Sequence, residues 1–272
     1  MTRLFVSPLS FISPLFAVFL TNWSGVAVSD EIRVGTSTVL SGPAQALGRD
    51  MKLGMDAYFN KLNKAGGIQG HTVKLVSLDD GYEPKKAAPN MRQLIDQDNV
   101  LAVLGNVGTP TAIVTVPIAN EQKTLLFGAF TGAGVLRKSP PDRYVINYRA
   151  SYAEETAAMI EGLLDAGVKP EQIALFTQND GYGDSGYQGA VAALKAKNFD
   201  GADKLAHGRY ERNTLNIENG LSTILDAKVE PRAIIMVGAY APCAKFIKLA
   251  RKDLPKAHFL NVSFVGSNAL AK

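Results

Sequence analysis

Cysteine and histidine are scarce in this sequence. Cys243 is the only cysteine among 272 residues, so an internal disulfide is excluded. The three histidines, His71, His207 and His258, are scattered and share no metal-ligand spacing. Long runs of lysine or arginine are also missing, although the formal net charge is +4, because basic residues are interleaved with acidic ones. This pattern is typical of a solvated surface. We therefore predict no metal, no cofactor and no nucleic-acid partner.

A long apolar run is found at the N-terminus alone. Arg3 precedes an uncharged, apolar-rich stretch at 4–20, and small residues at 25–29 offer cleavage sites. We predict that residues 1–29 are a secretory signal peptide and that the mature protein is exported. Pro8 and Pro14 argue against a stable membrane-spanning helix, although an uncleaved anchor stays open as the alternative. The remaining composition, within a total of 46% hydrophobic and 20% charged residues, fits one large or two modest globular domains.

Strand and helix patterns alternate along the rest of the chain. Apolar runs predict strands at 31–39, 72–78, 100–104, 125–127, 144–147, 172–177, 233–237 and 257–262. Amphipathic stripes between them predict helices, in two of which Pro89 and Pro117 predict a kink or a later start. Right-handed crossovers make such runs into parallel sheets with helices on both faces. The pattern restarts near residue 148, so we predict an α/β protein with two doubly wound parallel-sheet lobes, lobe 1 at 30–148 and lobe 2 at 149–262.

A glycine-flanked turn at 105–111 is the strongest candidate for a binding site. It follows a predicted buried strand and precedes a predicted helix, with Thr109 expected as the N-cap and Pro110 in the first turn. Free backbone N–H groups at such a helix start can hold a carboxylate without any cation. The next strand ends in a second glycine-rich loop, at 128–134, and two such neighbouring loops form a crevice at the carboxyl ends of parallel strands. Two ordinary turns that bind nothing remain the alternative.

A second glycine motif, at 181–186, allows a different interpretation. Gly181, Gly183 and Gly186 spell GxGxxG between a strand and a helix, which permits an exported nucleotide-dependent enzyme. Three polar residues separate the strand from these glycines, whereas a dinucleotide-binding turn follows its strand more tightly. Residues 183–186 of this stretch also resemble the nucleophile loop of trypsin-like proteases. That chemistry needs a His base and an all-β scaffold, whereas the pattern here predicts an α/β protein. A tight turn before a helix is the plain alternative.

Five short motifs together resemble one protein family. They lie at 66–70, 79–80, 105–112, 130–133 and 179–183, and their order and spacing resemble the type I periplasmic solute-binding proteins of ABC transporters, leucine/isoleucine/valine-binding branch. The resemblance runs from about residue 31 to the end. It implies two lobes joined by three crossing strands, a solute held between them by hinge closure, no catalysis, a periplasmic location and an inner-membrane ABC permease as partner. We expect a monomer. A ligand-sensing domain of the same fold that feeds a receptor or regulator remains open.

The resemblance also implies particular binding residues. In relatives that bind amino acids, a hydroxyl and backbone N–H groups hold the ligand carboxylate, and the matching positions here are Thr109, Ala129 and Thr131. Leu47 matches a position in the pocket wall, and the aromatic positions that close over the ligand match Tyr182 and Tyr240. For Tyr240, a strand-end residue half buried in the core is the alternative.

Three departures from the family pattern bear on the ligand. An acidic residue that pairs with the ligand ammonium in such relatives falls at Ser263, which makes a carboxylate or amide without an amine more plausible. The disulfide that some relatives carry in the first lobe is impossible here. Residues 263–272 are expected to start the return crossing to lobe 1, with roughly a hundred residues fewer than a full pair of such lobes needs.

Overall fold

The computed structural model describes Met1, residues 31–266 and Leu270. Except for Met1 and Leu270, the predicted signal peptide and the last part of the predicted return crossing, 267–272, lie outside the described residues. Within the part that the structure describes, no helix is both long enough and apolar enough to cross a membrane.

Five parallel strands form the first sheet, in the order β2-β1-β3-β4-β5. The strands are β1 (Ile32–Thr38), β2 (Val73–Asp79), β3 (Ala102–Leu104), β4 (Leu125–Phe127) and β5 (Val145–Ile146). Strands β1 and β2 pair along their whole length, from Ile32 opposite Val73 to Thr38 opposite Asp79. The strand order reverses between β1 and β3, and a crevice opens at the carboxyl ends of such a reversal in doubly wound sheets.

Three helices cover this sheet: α1 (Gln45–Lys64), α2 (Pro84–Asp96) and α3 (Thr109–Glu121). Helices α2 and α3 pack on one face around the buried residues Met91, Leu94, Val116 and Leu126. Both helices run through their internal prolines, Pro89 and Pro117, so a later start after either proline is wrong. Helix α1 packs against β2, and its Leu47 and Met51 belong to a different apolar cluster. We call this sheet and its helices the first lobe.

Four parallel strands form the second sheet, in the order β7-β6-β8-β9. They are β6 (Ile173–Gln178), β7 (His207–Tyr210), β8 (Ala233–Val237) and β9 (His258–Asn261). Apolar clusters fill both faces, one beneath α4 (Tyr152–Asp165) and α5 (Gly181–Ala196) and one beneath α6 (Glu218–Leu225) and α7 (Tyr240–Asp253). We call this sheet and its helices the second lobe. The predicted fold class, an α/β protein with two doubly wound parallel sheets, is confirmed.

Helix α4 begins where the chain passes from one lobe to the other. Ser151 is its N-cap, and its hydroxyl accepts a hydrogen bond from the Glu154 N–H at 3.1 Å. The Glu154 carboxylate accepts in return from the Ser151 N–H at 2.7 Å, which completes a capping box. This reciprocal pair satisfies two amides that would otherwise lack partners and so fixes the start of the helix.

Two elements of the second lobe were not assigned from the sequence, strand β7 and helix α7. Strand β7 is only four residues long and includes Arg209, so its apolar signal is weak. Helix α7 buries Pro242, Cys243, Phe246 and Ala250, which form a narrow stripe of mostly small side chains between lysines and arginines. These residues recur at helical spacing, but the lysines and arginines between them keep the apolar content of the segment low, and the stripe was overlooked.

Candidate interlobe binding site

The loops at the carboxyl ends of the two sheets meet and close the cleft between the lobes. The Ala46 N–H of the first lobe donates to the Tyr240 hydroxyl of the second at 3.3 Å, and the Gln178 side-chain amide donates to the Tyr82 hydroxyl at 3.4 Å. At the start of α5, a Cβ atom added to Gly181 would lie 2.7 Å from Cδ1 of Ile113, so the glycine allows this close approach. The structure therefore shows the lobes in direct contact at the position expected for a ligand.

The predicted anion anchor is a pair of threonine hydroxyls. Thr109 and Thr131 are fully buried, and their Oγ1 atoms lie 2.6 Å apart, within hydrogen-bond distance. The Thr131 hydroxyl also lies 3.4 Å from the Tyr152 hydroxyl and accepts from the Ala133 N–H at 3.1 Å. The expectation that Thr109 caps α3 is wrong, because Gly108 is the N-cap and Thr109 is the first helical residue. Its hydroxyl points to the neighbouring loop instead.

The start of α3 carries backbone N–H groups that the helix itself does not use. Ala112 is the first residue whose N–H bonds back within this turn, to the Gly108 carbonyl at 3.1 Å. Gly108 has φ 96°, a backbone conformation that residues with a side chain rarely adopt. A Cβ atom there would also lie 2.0 Å from Cε2 of Tyr82, so the backbone and the available space both require glycine. The positive end of the α3 dipole thus faces the interface between the lobes.

An aromatic cluster fills the space between the lobes. Tyr82, Tyr152, Tyr182 and Phe264 are fully buried, and Phe130 packs against them. Phe264 is the hub, with its ring centroid 4.7 Å from that of Tyr182, 5.5 Å from that of Phe130 and 6.3 Å from that of Tyr82. Tyr152 and Tyr182 lie 5.3 Å apart. These separations are those of favourable aromatic pairs, so the cluster stabilises the contact between lobes by its buried area and ring geometry.

The three tyrosine hydroxyls of this cluster have partners and stay neutral. The Tyr182 hydroxyl donates to the Gly238 carbonyl at 3.2 Å, and Tyr82 accepts from Gln178. Burial raises the pKa of Tyr82 and of Tyr182 well above the usual value of 10, and it also raises the pKa of Tyr152. Neutral phenols can both donate and accept, so the cluster offers polar contacts without a fixed charge.

The structure brings some of the predicted residues together and leaves others at the edge. Leu47 is partly buried against the aromatic cluster, and Tyr240, the first residue of α7, is partly buried at the contact with Ala46. Ala129 is buried in the core of the first lobe, with its carbonyl accepting from the Thr131 N–H at 2.8 Å. Thr109, Thr131 and Tyr182 therefore lie near the interface, while Ala129 is set back behind Thr131. Their roles in binding stay predictions.

Ser263 does not face the interior. Its side chain is exposed, where the hydroxyl donates to the Glu155 carboxylate at 2.8 Å and receives a hydrogen bond from Arg149. The Ser263 N–H donates to the same carboxylate at 2.6 Å. The residue that points into the cluster from this turn is Phe264. At this turn the apolar ring of Phe264, rather than the Ser263 hydroxyl, therefore faces the contact between the lobes.

Tyr82 and Phe264 were missed as interface residues, although a signal for Tyr82 was available. The triplet Asp-Gly-Tyr occurs twice, at 80–82 and 180–182. In each copy the aspartate carboxylate accepts from the tyrosine N–H, at 2.9 Å for Tyr82 and 3.0 Å for Tyr182. Both tyrosines are fully buried in the same cluster. The recurrence of the triplet after two strands was the sequence feature that could have paired them.

The GxGxxG stretch serves packing in this fold. A Cβ atom on Gly183 would lie 2.0 Å from the Gln178 carbonyl oxygen, and one on Gly186 would lie 2.4 Å from Val237. The start of α5 is capped by the Asp180 carboxylate. A carboxylate at that position would repel a phosphate, since a bound pyrophosphate normally takes this helix end.

Among the described residues, neither a metal site nor an activated cysteine nucleophile is found. Among them, no group of three or more His, Cys, Asp or Glu residues could hold a metal ion. The Cys243 thiol is buried, and burial raises its pKa to about 12, so it is not activated as a nucleophile.

Comparison with known proteins places this geometry among binding proteins. A model of the periplasmic binding protein family matches residues 31–268. The crystal structure of a possible leucine/isoleucine/valine-binding protein from Rhodopirellula baltica SH 1 is 52% identical, has a TM-score of 0.85 and matches 89% of this chain and 65% of that one. A substrate-binding periplasmic protein from Ralstonia solanacearum is 30% identical, with a TM-score of 0.79 over 88% of this chain and 65% of that one. Leu/Ile/Val-binding protein homolog 7 of Brucella abortus (strain 2308) is 26% identical over 222 residues, 78% of this chain and 53% of its own length.

The two solved relatives share the fold of this chain. The chain spans about half the length of the curated relative and about two thirds of each solved one. The family model nevertheless covers nearly all of the described residues, and the relatives are named as binding proteins rather than as enzymes. This chain therefore belongs to the periplasmic binding protein family, and one of its curated relatives is named as a Leu/Ile/Val-binding protein homolog.

Proposed function

We propose that this protein captures a small carboxylate-bearing solute between its two lobes by hinge closure and delivers it to an ABC importer. The observation that supports the proposal most is the buried Thr109–Thr131 hydroxyl pair at the start of α3, next to the interlobe contact. Hydroxyls and helix-start amides together form an anion site that needs no cation. The tyrosines of the opposite lobe close over the rest of the solute. A solute favours the closed form only because it contacts both lobes there.

The chemistry of the interface favours a solute with an apolar body. Rings of Tyr82, Tyr182 and Phe264 line the contact, and Ser263 lies outside it with Glu155. The carboxylates beside the cluster already have partners, since Asp180 and Glu83 accept from Arg212 and Asp80 accepts from Ser37 and Tyr82. A buried ammonium without a countercharge of its own is costly. We therefore infer that an α-amine is not required and that simple carboxylates bind at least as tightly as the corresponding amino acids.

Isothermal titration tests the proposal. The panel pairs each amino acid with the acid that lacks its amine, for instance L-leucine with 4-methylpentanoate and L-phenylalanine with 3-phenylpropanoate. At least one member is expected to bind saturably at one site. Failure of every member on a folded sample would contradict the proposed function, and binding of the amino acids alone would contradict the inference about the amine.

Substitution of the anchor tests which residue holds the anion. Thr109→Val keeps the shape and removes the hydroxyl, so affinity is expected to fall by about tenfold, the usual effect of losing one hydrogen bond to a charged group. Thr115→Val is the matched control, because Thr115 is a buried threonine of the same helix whose hydroxyl has no partner in the described structure. Equal affinities of both variants and the parent would remove Thr109 from the site.

Export is part of the proposal. Residues 1–29 direct the chain to the periplasm, where the solute-loaded monomer meets an inner-membrane permease. N-terminal sequencing of the protein from a periplasmic extract tests the first step. A start near residue 30 is expected, whereas an intact N-terminus in the membrane fraction would point to an uncleaved anchor.

A further inference from the structure

A polar bridge crosses the cleft at its rim, beside the aromatic cluster. Arg212 of the second lobe lies in the segment after β7, and its side chain is only 22% exposed. One guanidinium nitrogen lies 2.9 Å from the Asp180 carboxylate in its own lobe, and the other lies 2.9 Å from the Glu83 carboxylate of the first lobe. A single planar cation therefore joins acidic groups on both sides of the cleft.

The neighbouring residue strengthens the same bridge. The Asn213 side-chain amide donates to the Glu83 carboxylate at 2.6 Å and to the Gly81 carbonyl at 3.1 Å. Asn213 has φ 60°, a left-handed conformation that asparagine tolerates better than most residues. Both oxygens of Glu83 thus accept hydrogen bonds from the second lobe, one from Arg212 and one from Asn213.

The bridge is tied directly to the two loops that carry the interface tyrosines. Glu83 follows Tyr82 and is the N-cap residue of α2. Asp180 caps α5 through the Tyr182 N–H, and its side chain is 14% exposed. The Arg212 guanidinium also lies 6.0 Å from the centroid of the Tyr82 ring. Movement of either loop would therefore change the contacts of Arg212.

We propose that Arg212 is a positioning residue for closure, a latch that holds the Glu83 loop of the first lobe against the second lobe. The role rests on the hinge closure proposed above. Opening would break the bonds to Glu83 and Gly81 but would keep the bond to Asp180, which lies in the same lobe. Contacts made in the closed form alone shift the equilibrium toward it. Loss of the Glu83 charge is expected to lower the closed-to-open ratio by about tenfold, since bonds to charged groups are the stronger ones.

The distance between the lobes measures this equilibrium without any solute. Helices α1 and α7 both begin at the interface, where Ala46 meets Tyr240, and run away from it. Lys64→Cys and Lys252→Cys place fluorophores near their far, exposed ends, while the native thiol of Cys243 is buried and stays unlabelled. Energy transfer between the labels should fall in Glu83→Gln and in Arg212→Gln. Arg33→Gln is the matched control, since Arg33 forms an exposed ion pair with Glu31 within the first lobe.

Charge is tested separately from shape. Glu83→Asp keeps the carboxylate and should retain most of the transfer efficiency. Added sodium chloride should lower the efficiency of the parent and leave that of Glu83→Gln unchanged, because screening weakens ion pairs and has less effect on neutral hydrogen bonds. The double variant Glu83→Gln/Arg212→Gln should be no more open than either single variant, as expected for one shared interaction.

The outcomes separate the latch from the proposed function. If both single variants match the parent and Arg33→Gln in transfer efficiency, Arg212 is not a latch, whatever the titrations show. If the variants open but no panel solute binds the parent, the latch stands and the capture function fails. If Arg212→Gln does not fold by circular dichroism, Glu83→Gln alone decides, since it leaves the Arg212–Asp180 pair in place.

Discussion

Replacing Asp80 by asparagine should stabilise this protein at neutral pH. The Asp80 side chain is fully buried, with one oxygen 2.8 Å from the Ser37 hydroxyl and the other 2.9 Å from the Tyr82 N–H. Burial raises its pKa from 3.8 to about 6, despite these two hydrogen bonds, and the neighbouring charges of Asp79 and Glu83 add to the increase. The folded chain therefore protonates this carboxyl at a higher pH than the unfolded chain does, and its ionised form destabilises the fold at neutral pH.

The sign and size of the effect follow from proton linkage. Between pH 3.8 and about 6 the folded state binds more protons at Asp80 than the unfolded state does, so the free energy of unfolding falls as the pH rises through this window. One pKa unit corresponds to about 1.4 kcal/mol, so above about pH 6 the free energy of unfolding is lower by about 3 kcal/mol than it is below pH 3.8 on account of this group. Asparagine carries no charge and can still accept from the Tyr82 N–H and donate to the Ser37 hydroxyl. We expect the free energy of unfolding of Asp80→Asn to exceed that of the parent by about 1 to 3 kcal/mol near pH 7.5, after allowing for weaker hydrogen bonds.

Urea unfolding followed by circular dichroism at about pH 7.5 and about pH 4 tests this reasoning, and the advantage of Asp80→Asn should shrink at the lower pH. Asp79→Asn is the matched control. Burial alone would raise the pKa of Asp79, but hydrogen bonds from Ser41, Leu40 and Gly81 lower it. Its carboxylate therefore stabilises the fold above its usual pKa, and the variant should be less stable than the parent near neutral pH. An Asp80→Asn protein that is no more stable than the parent, or whose advantage does not depend on pH, would refute the argument.

Three more predictions concern buried groups. Phe264→Ala should cost about 3 to 5 kcal/mol in urea unfolding, because it removes the hub of the aromatic cluster, whereas Phe127→Ala, at an exposed position, should cost far less. Burial, with Arg209 nearby, lowers the pKa of His207 from 6.5 to about 4, so the folded state holds a neutral imidazole and the free energy of unfolding falls as the pH drops from 6.5 toward 4. The His207→Gln variant should lose less stability over this pH range, and equal losses in the variant and the parent would contradict the assignment. The Cys243 thiol should resist Ellman's reagent in the folded state and react on unfolding in urea, and rapid labelling without denaturant would show that it is not buried.

Much of the fold could be predicted because buried parallel strands consist of continuous runs of apolar residues. The strands at 125–127 and 233–237 coincide with their predicted bounds, and the helix starting at Tyr152 was found from its amphipathic stripe. Such elements can be predicted locally because the apolar positions in their sequence are the positions that the fold buries. Strand β7 was missed because it is only four residues long and includes Arg209, and helix α7 was missed because lysines and arginines separate the residues of its apolar stripe.

The site was less predictable than the fold. The turn at 105–111 could be identified from its glycines and the helix after it, yet the direction of the Thr109 hydroxyl depends on where the loop with Thr131 comes to lie. Neither Phe264 nor Arg212 carries a local signal. Each acquires a role only when the second lobe packs on the first, and sequence spacing does not encode that arrangement.

The paired Asp-Gly-Tyr turns also bear on how the two halves are related. The first copy follows β2, the edge strand of its sheet, whereas the second follows β6, an inner strand that takes the place of β1 in the other lobe. Tyr82 has φ 64°, while Tyr182 is helical, so the same three letters adopt two backbone shapes. An internal alignment that superimposed the triplets would shift one half by a whole β-α unit. The recurrence is therefore better read as convergence on one way of anchoring a tyrosine than as a remnant of gene duplication.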